Sequence, residues 1–330
     1  MAASTRSRPP AFGRLALAWR RVAHPVESAR ILAPSVLPVW LRARLTAAFS
    51  AWRRPLRVPE QEAEVAALVA SWEAAARALA PAPARALPLV SIVVVTFGNR
   101  ALTRLCLESV RCFTGDVEHE IVAVDNGSPD GTPALLRELA ATRPTLRVIE
   151  NGENRGFAAA TNQGVSATRG RLLCLLNNDT VVTPGWLAAL AGTALDDPAL
   201  GLVGPVTNAA GNEARVRRGY RDLGELPSWA AGRAARCAGQ SFPIPMLALY
   251  CAVLRRDVWE RVGPLDEQFG AGMFEDDDYS RRVRAAGYTL RCRRDVFVHH
   301  WQRAGFKLLG EEAYRRLYEA NRARFRAKWG

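Results

Sequence analysis

The hydrophobic pattern of the chain changes near residue 89. From there onward, short continuous apolar runs recur, and each ends in polar or turn-forming residues. These runs cover residues 89–97, 120–128, 146–151, 171–179 and 201–208. Runs of this length, rich in β-branched residues, are typical of strands buried on both faces. Segments with helical periodicity separate them, so the chain predicts an α/β fold with a mostly parallel, doubly wound sheet.

Both ends of the chain have a different character. Residues 1–57 suggest short basic amphipathic helices interrupted by prolines, and residues 60–80 suggest a helix rich in Ala and Glu. Proline cannot continue a helix, so residues 81–88 (PAPARALP) predict a linker. We therefore predict a basic helical extension at 1–88, a main domain at 89–305, and a terminal region at 306–330 whose helix (306–328) packs on that domain.

Charge is unevenly distributed. The net charge is +13, and residues 1–88 contribute +8 of it through 13 Arg and 5 acidic residues. A basic segment of this kind suits an anionic membrane surface, although a solvated basic helix is an equal alternative. No apolar run reaches the roughly 20 residues of a membrane span, and no secretory signal is evident. These features predict a cytoplasmic protein, with peripheral attachment through 1–57 to the inner face of the membrane as an option.

Cysteine spacing indicates neither a zinc site nor a disulfide framework. The six cysteines form no C-x-x-C pair, and several lie inside apolar runs where a thiol acts as a small hydrophobic group. A reducing compartment fits this usage best.

Polar residues follow four of the predicted strands. The first strand ends at Thr96 to Asn99, and the second at Asp125 and Asn126. The third leads to 151–157 (NGENRGF), and the fourth ends at 177–180 (NNDT). In a doubly wound sheet, ligands bind beyond the carboxyl ends of the strands, so these residues predict one binding rim. Turn formation alone is the alternative explanation for any single strand end.

The rim has no phosphate-binding loop of a familiar type. Neither G-x-G-x-x-G nor a P-loop lysine motif follows the first strand. A divalent cation on carboxylate oxygen can bridge a diphosphate instead. Asp179 is our candidate for that ligand, and Asp125 is the candidate for contacting a base or ribose.

Two further clusters carry ionisable groups. Residues 275–278 (EDDD) stand at the start of a helix, where the dipole partly relieves their repulsion. Neighbouring carboxylates raise one another's pKa toward the range of a general base, although a charged helix terminus is the simpler alternative. His299 and His300 end a further apolar strand and give a moderate metal-ligand signal.

Five segments in this order resemble the family 2 glycosyltransferases, which have the nucleotide-diphospho-sugar transferase (GT-A) fold. The similarity spans about residues 89–305, and the third segment is similar to the rhamnosyltransferase-like branch. The segments are VSIVVVTFGN, EIVAVDNGSPDGT, ENRGFAAATNQG, LLCLLNNDTVVTPGWL and FEDDDYSRRVRAAGY. The resemblance implies an inverting enzyme that moves a sugar from a nucleotide-diphosphate donor to a hydroxyl, in bacterial cell-surface glycan or polysaccharide synthesis.

The resemblance also implies roles for individual residues. Asp276 would be the general base, and Asp179 would hold Mn²⁺ or Mg²⁺ against the diphosphate. His299 would complete the metal or diphosphate site, with His300 as the less favoured choice. The implied nucleotide-sugar-binding residues are Thr96, Asn99, Asp125, Asn126, Gly156, Asn162 and Asn178. One departure is that the usual D-x-D motif reads Asn177-Asn178-Asp179, so its first acid is missing.

Several alternatives remain open at this stage. A sugar-phosphate nucleotidyltransferase would need a Gly-rich basic loop after the first strand, and GNRALTR is a poor version of one. A catalytically degenerate scaffold that binds a membrane or a partner is the second alternative. The donor can be dTDP-rhamnose, a UDP-hexose or a GDP-sugar, and the acceptor a glycan, a lipid-linked glycan or a protein; nucleic acid is not expected. Residues 219–250 predict acceptor-side loops and a lid that contains Trp229.

Overall fold

The apolar runs after residue 89 form the strands of one large sheet. The structure is a computed structural model that describes residues 56–79, 86–302 and 310–330. Its strands are β1 Val90–Thr96, β2 His119–Asp125, β3 Leu146–Glu150, β4 Leu172–Asn177, β5 Thr180–Val181, β6 Leu200–Val206, β7 Ser241–Pro243, β8 Cys251–Arg255, β9 Thr289–Phe297 and β10 His299–His300. Eight of them form a sheet in the order β3-β2-β1-β4-β8-β6-β9-β7, and β5 pairs with β10 separately.

Helices connect and cover the strands. Within the described residues they are α1 Glu62–Ala78, α2 Arg100–Phe113, α3 Thr132–Thr142, α4 Phe157–Ser166, α5 Trp186–Asp196, α6 Leu226–Arg236, α7 Arg256–Val262, α8 Glu275–Ala285 and α9 Glu311–Trp329. A 3₁₀ turn covers Glu267–Phe269. All seven residues of β1 are buried, as expected for a central strand covered on both faces. Helix α4 approaches this strand closely because Gly164 faces Val93 without a side chain.

The sheet is mostly parallel, with two antiparallel strands. Strands β3, β2, β1 and β4 run parallel in their pairings, as do β6 and β9. Strand β8 pairs antiparallel with both β4 and β6, and the edge strand β7 is antiparallel to β9. The prediction of a mostly parallel α/β sheet is therefore confirmed. The sequence pattern did not reveal β8, because periodicity alone does not distinguish a short apolar run in a strand from a buried segment of helix.

Helix α1 belongs to the same packed body as the sheet. The side chain of Trp72 is fully buried, and its indole N–H donates to the carbonyl of Leu223 at 2.9 Å. Its ring also lies 5.9 Å from that of Phe113. The predicted basic helices at 1–57 and the linker at 81–88 lie almost entirely outside the described residues.

Helix α6 occupies the region where a lid was expected. Trp229 lies within this helix, and its ring packs edge-on against Phe297 of β9 at 4.7 Å and against Tyr220 at 5.2 Å. Trp229 is therefore part of a packed aromatic cluster, and the segment predicted as a loop forms a helix here, whereas the lid stays a prediction. Leu226, Pro227 and Ala230 are the buried residues of this helix.

The remaining expectations concern thiols and membrane spans. All six cysteines carry free thiols, as their spacing indicated. Among the described helices, none combines the length and the apolar character that a bilayer crossing requires.

Candidate functional site

Strands β1 and β2 end side by side in two buried polar residues. Thr96 and Asp125 are paired in register, and the Thr96 hydroxyl donates to Oδ1 of Asp125 at 3.1 Å. The second carboxylate oxygen of Asp125 accepts the main-chain N–H of Ser128 at 3.1 Å. Both residues are at most 2% exposed. The register of the sheet thus creates the polar rim that the strand ends predicted.

Asn126 organises the loop that follows β3. Its side-chain amide donates to the side chain of Asn154 at 2.9 Å and to the carbonyl of Gly156 at 3.1 Å. Its carbonyl oxygen accepts from the side chain of Asn151 and from the main chain of Arg155, each at 3.1 Å. Because these bonds occupy both ends of the amide, Asn126 shapes the pocket wall by fixing the 151–156 loop.

Gly156 joins this loop to a second one. Its backbone has φ +88° and ψ 160°, a conformation that is essentially restricted to glycine. A Cβ atom at this position would lie 2.3 Å from the carbonyl oxygen of Gly270. The next residue, Phe157, donates its N–H to the same oxygen at 3.1 Å. Gly156 therefore permits close contact between the rim and the loop that precedes α8.

Of the seven predicted nucleotide-sugar residues, only Asn126 and Asn178 line the pocket. Thr96, Asp125 and Gly156 are not among its lining residues. Asn178 lies on its wall, and its amide donates to Thr103 Oγ1 at 2.8 Å. Asn162 instead bonds main-chain Leu265 through both ends of its amide, at 2.9 Å each, and also donates to Glu267. Its side chain thus anchors the 265–267 turn, and the structure does not bring it to the pocket as predicted.

Asn99 also lies outside the pocket lining. It has a left-handed backbone with φ 60° and precedes helix α2. Its side-chain nitrogen is buried without a hydrogen-bond partner. The conformation identifies Asn99 as a residue that turns the chain from β1 into α2, a role to which asparagine is well suited.

His300 and Asp179 meet on the wall of the pocket. Nε2 of His300 lies 3.2 Å from Oδ1 of Asp179. The antiparallel pairing of β10 with β5 sets His300 opposite Thr180, and Trp301 donates its N–H to the Asp179 carbonyl at 3.0 Å. The ring of Tyr250 stacks on that of His300 at 4.9 Å and 14°. These contacts fix both the main chain and the ring plane of His300.

His299 points away from this pair, because successive side chains of a strand face opposite sides. Its Nδ1 lies 2.6 Å from the hydroxyl of Tyr220, and its ring meets Trp301 edge-on at 4.3 Å. Burial, and secondarily the charge of His300, lowers the pKa of His299 to about 3. The geometry therefore favours His300 as the metal-facing residue and does not support the expected choice of His299.

The donor atoms of Asp179 and His300 suit a divalent cation. A carboxylate oxygen and an imidazole nitrogen are ligands that Mn²⁺ and similar ions accept. In the described part of the chain, no group of three or more His, Cys, Asp or Glu side chains has the arrangement of a metal site, and this pair brings together only two such side chains. An ion held by these two residues would need its remaining ligands from the diphosphate and water.

Glu275 and Asp276, at the N-terminus of α8, line the same pocket. Burial raises the pKa of Asp276 to about 7, and the neighbouring Asp277 adds to the effect. Burial and the charge of Asp276 raise the pKa of Glu275 to about 8. Such values suit proton transfer near neutral pH. Both side chains keep some exposed surface, so solvent in the pocket can reach them.

Asp278, the last acid of this run, has a structural role. Its fully buried carboxylate accepts from Arg282 at 2.9 Å and from the indole N–H of Trp329 at 2.8 Å, and Lys328 lies 2.7 Å away. The run of four carboxylates therefore contains two groups that line the pocket and one that ties α8 to α9.

The backbone before Glu275 is strained. Met273 and Phe274 are consecutive non-glycine residues with φ 76° and 74°. The left-handed conformation costs such residues roughly 1–2 kcal/mol each. Strain of this kind persists only where surrounding contacts impose it, and it is concentrated at functional sites. The left-handed backbone of Met273 and Phe274 thus directs the start of α8 toward the pocket, and this conformation costs conformational energy.

The pocket has a volume of about 290 Å³, close to the lower end of the roughly 300–1,000 Å³ of small-molecule sites. Asn154 belongs to the 151–157 segment of the predicted rim, whereas sequence reasoning did not single out the lining residues Tyr250, Met273, Gln302 and Tyr314. For Tyr314, the helical spacing of seven residues to Asn321 and Lys328 was an available signal. Tyr250 had no comparable signal, because it precedes a strand whose position the pattern did not reveal.

Comparison with known proteins gives a family match over more than half of the chain. Residues 91–263 match the family model described as glycosyl transferase family 2. The chain is 27% identical to the glycosyltransferase AglE of Haloferax volcanii over 232 residues, which cover 68% of this chain and 71% of that protein. It is 28% identical to an N-acetylglucosaminyl-diphospho-decaprenol L-rhamnosyltransferase of Mycobacterium tuberculosis, with 61% and 72% covered.

Another relative is much longer. The uncharacterized protein y4gI of Sinorhizobium fredii is 29% identical over 220 residues, which are 63% of this chain but 24% of that protein. The chain thus spans about a quarter of the length of this relative.

Two solved structures share the fold. One is GalNAc-T7 with UDP, GalNAc and Mn²⁺, with a TM-score of 0.54 and 17% identity, covering 77% of this chain and 54% of the other. The second is the mannosyltransferase PcManGT of Pyrobaculum calidifontis with GDP-Man and Mn²⁺, with a TM-score of 0.50 and 23% identity, covering 74% and 69%. At these identities the likeness shows the fold, which is the expected GT-A architecture.

Proposed function

Because the chain belongs to glycosyl transferase family 2, we propose that it moves a sugar from a nucleotide-diphosphate donor to an acceptor hydroxyl with inversion at the anomeric carbon. The predicted resemblance to this family and its rhamnosyltransferase-like branch is confirmed by the family match and by the relatives described above. The donor, the metal, the base and the acceptor are part of the proposal.

One observation carries the proposal: a single pocket is lined both by the Asp179–His300 pair and by the Asp276 carboxylate. Glycosyl transfer requires both kinds of group. The leaving nucleoside diphosphate needs positive charge beside it, and the attacking hydroxyl needs a proton acceptor on the other side of the anomeric carbon. The rim and the N-terminus of α8 supply these groups to one space.

The donor would lie along the carboxyl ends of β1, β2 and β4. Thr96 and Asp125 form the buried polar end of this rim, and Asn126 and Gly156 shape its wall. In the two structural neighbours, UDP and GDP-mannose are the bound nucleotides, and one relative is named a rhamnosyltransferase. These names support a UDP-, GDP- or dTDP-sugar, in the synthesis of a cell-surface glycan or polysaccharide.

Asp179 and His300 would hold Mn²⁺ or Mg²⁺ beside the diphosphate. The residues fit such an ion, since their donor atoms already lie 3.2 Å apart on the pocket wall. When bound, a divalent cation neutralises charge that develops on the leaving diphosphate. The stacked ring of Tyr250 fixes the plane of the imidazole, so His300 would already be oriented to bind the ion.

Asp276 would accept the proton of the acceptor hydroxyl as the hydroxyl attacks. Its Oδ1 accepts the main-chain N–H of Asp277 at 3.0 Å, which orients the carboxylate. Since its pKa is raised to about 7, the group is substantially ionised at neutral pH and still basic enough to accept a proton. One displacement from the face opposite the leaving group inverts the anomeric centre.

The acceptor would be a glycan, a lipid-linked glycan or a protein hydroxyl. The excess of arginine in residues 1–57 supports peripheral docking to an anionic membrane, close to a lipid-linked acceptor. Co-sedimentation with liposomes rich in anionic lipid tests this part separately. Deletion of 1–57 should abolish the sedimentation, and unchanged binding would refute the docking.

The test of the main proposal is a donor panel. Wild type and Asp276→Asn are incubated with UDP-, dTDP- and GDP-sugars, each with Mn²⁺ or with chelator, and release of nucleoside diphosphate is measured. Turnover of one donor that requires the metal and is lost in Asp276→Asn is the expected result. If no donor is turned over and none binds by calorimetry, the proposal is overturned and a degenerate scaffold is favoured.

A further inference from the structure

The C-terminal helix α9 contributes one fully buried polar residue to the loop before the proposed base. Asn321 is 0% exposed, although most of its neighbours on the helix are exposed. Its amide nitrogen donates to the carbonyl of Phe269 at 2.7 Å, to that of Gly272 at 2.8 Å and to that of Met273 at 3.2 Å. One side chain thus forms hydrogen bonds with three carbonyl groups of the loop.

The orientation of the Asn321 amide is fixed from the other side. Nη1 of Arg324 donates to Oδ1 of Asn321 at 2.6 Å, one turn further along the helix. This ion–dipole contact requires the oxygen to face the arginine, so the NH₂ group must face the loop. An aspartate at position 321 would have nearly the same volume but no donor for the three carbonyls.

The contacts of Asn321 belong to a row of residues along one face of α9. Tyr314, Asn321 and Lys328 are seven residues apart, which is close to two helical turns. Tyr314 lines the pocket, and Lys328 bridges Asp266 at 2.5 Å and Asp278 at 2.7 Å. The helix therefore touches the pocket wall, the strained loop and the body of α8 in succession.

Aromatic packing completes the attachment of the loop. The ring of Phe274 lies 5.4 Å from Tyr318 and 5.6 Å from Phe325, both on α9. Phe274 itself has a left-handed backbone and immediately precedes Glu275. Without partners, two successive residues such as Met273 and Phe274 would relax toward ordinary backbone conformations, and the start of α8 would turn with them.

We propose that Asn321 is a positioning residue, which holds the 269–274 loop in its left-handed conformation so that Asp276 faces the pocket. The catalytic part of this inference rests on the proposed function, because it takes Asp276 as the base. The structural part, that Asn321 maintains the loop, does not depend on it. Asn321 itself lies outside the pocket lining and makes no contact with the donor rim among the bonds described above.

The experiment compares wild type with Asn321→Asp and Asn321→Ala in the full chain. Arg322→Ala is the matched control, since Arg322 is the next residue of the same helix and is exposed. Hydrogen–deuterium exchange is followed for peptides that cover 269–278, with peptides of β1 and β2 as internal references. The kcat and the donor KM are measured in the donor assay described above.

Both Asn321 variants should exchange at least tenfold faster in 269–278 while β1 and β2 stay protected. Their kcat should fall at least tenfold, with the donor KM within about twofold of wild type, because the donor rim is untouched. Arg322→Ala should match wild type in all measurements. If Asn321→Ala loses protection in every peptide, that variant has unfolded as a whole. Asn321→Asp, which keeps the side-chain volume, then tests whether Asn321 maintains the loop.

Unchanged exchange in 269–278 in Asn321→Asp would overturn the inference, as would faster exchange without a fall in kcat. The failure of the proposed function is distinguishable. If wild type neither binds nor turns over any donor, the proposed function is refuted. The exchange data alone then show whether Asn321 maintains the loop.

Discussion

Nε2 of His300 lies 3.2 Å from Oδ1 of Asp179, although the two residues are far apart in the sequence. The short antiparallel pairing of β5 with β10 creates this relationship by setting His300 opposite Thr180. The same pairing gives the two adjacent histidines different surroundings. His300 faces the pocket, whereas His299 is buried against Tyr220.

The first prediction concerns the metal. His300→Ala and Asp179→Asn should each weaken Mn²⁺ binding by at least roughly tenfold, because each removes one of the two proposed protein ligands. Isothermal titration of Mn²⁺ in the presence of nucleoside diphosphate measures the affinity, and the Mn²⁺ dependence of donor turnover gives a second measure.

His299→Gln serves as the control for this pair. It removes a buried ring that touches Tyr220 and Trp301, so it should lower the melting temperature. The Mn²⁺ affinity should stay within about twofold of wild type, in contrast to the tenfold loss above. An Mn²⁺ affinity that falls in His299→Gln and not in His300→Ala would reverse our assignment.

The second prediction concerns the base. Asp276→Asn should lower kcat by about 10²–10⁴-fold, the usual contribution of a general base, while leaving donor affinity nearly unchanged. Steady-state kinetics and calorimetry separate the two quantities. Asp257→Asn, at an exposed carboxylate in α7, is the matched control and should retain activity. A full rate in Asp276→Asn would exclude Asp276 as the base.

The third prediction concerns the pH dependence of the rate. The base acts in its ionised form, so kcat/KM should fall as pH drops below the raised pKa of Asp276, about 7. The charge of Asp277 contributes to this rise, so Asp277→Asn should move the acid limb to lower pH. A pH–rate profile of both proteins measures the shift. An acid limb near pH 4 in wild type would contradict the buried environment of Asp276.

The fourth prediction concerns stability. Asp276 has a higher pKa in the folded chain, about 7, than the ordinary value near 3.9 in the unfolded chain. Between these values the folded state binds more protons, so this group lowers the free energy of unfolding as pH rises from about 4 to about 7. Asp276→Asn should therefore become more stable relative to wild type across that window, by on the order of 1 kcal/mol.

Denaturant unfolding at pH 4.5 and pH 8 measures this difference. We expect only a modest value, since Asp276 keeps contact with solvent in the pocket and water screens part of the cost. A difference between variant and wild type that is the same at both pH values would show that burial does not perturb this carboxyl.

The fifth prediction concerns Gly156. Gly156→Ala should destabilise the fold by about 2 kcal/mol, because its backbone has φ +88° and the added Cβ would meet the carbonyl of Gly270. Gly152→Ala, in the same loop, adds a Cβ with nothing within 4 Å and should be nearly neutral. Thermal unfolding of both variants tests this contrast, and equal melting temperatures would show that the loops can separate without cost.

Local sequence patterns were sufficient to predict the central strands and the polar rim. Short apolar runs rich in β-branched residues are typical of central strands, so β1, β2 and β4 were predictable, and with them the common edge that carries Thr96, Asp125 and Asp179. The acidic run at 275–278 was equally visible, because a cluster of charges beside a helical pattern is a local feature. Both inferences rest on residues that are close together in the chain.

Contacts between distant segments of the chain determine which polar residues line the pocket and which stabilise the fold. Asn162 is a residue type that often binds ligands, yet both ends of its side-chain amide form hydrogen bonds with the main chain of Leu265. The orientation of His300 depends on β5, and the left-handed loop at Met273 depends on Asn321 of a distant helix. Hydrophobic periodicity specifies which face of an element is buried, but it does not specify the distant segment that packs against that face.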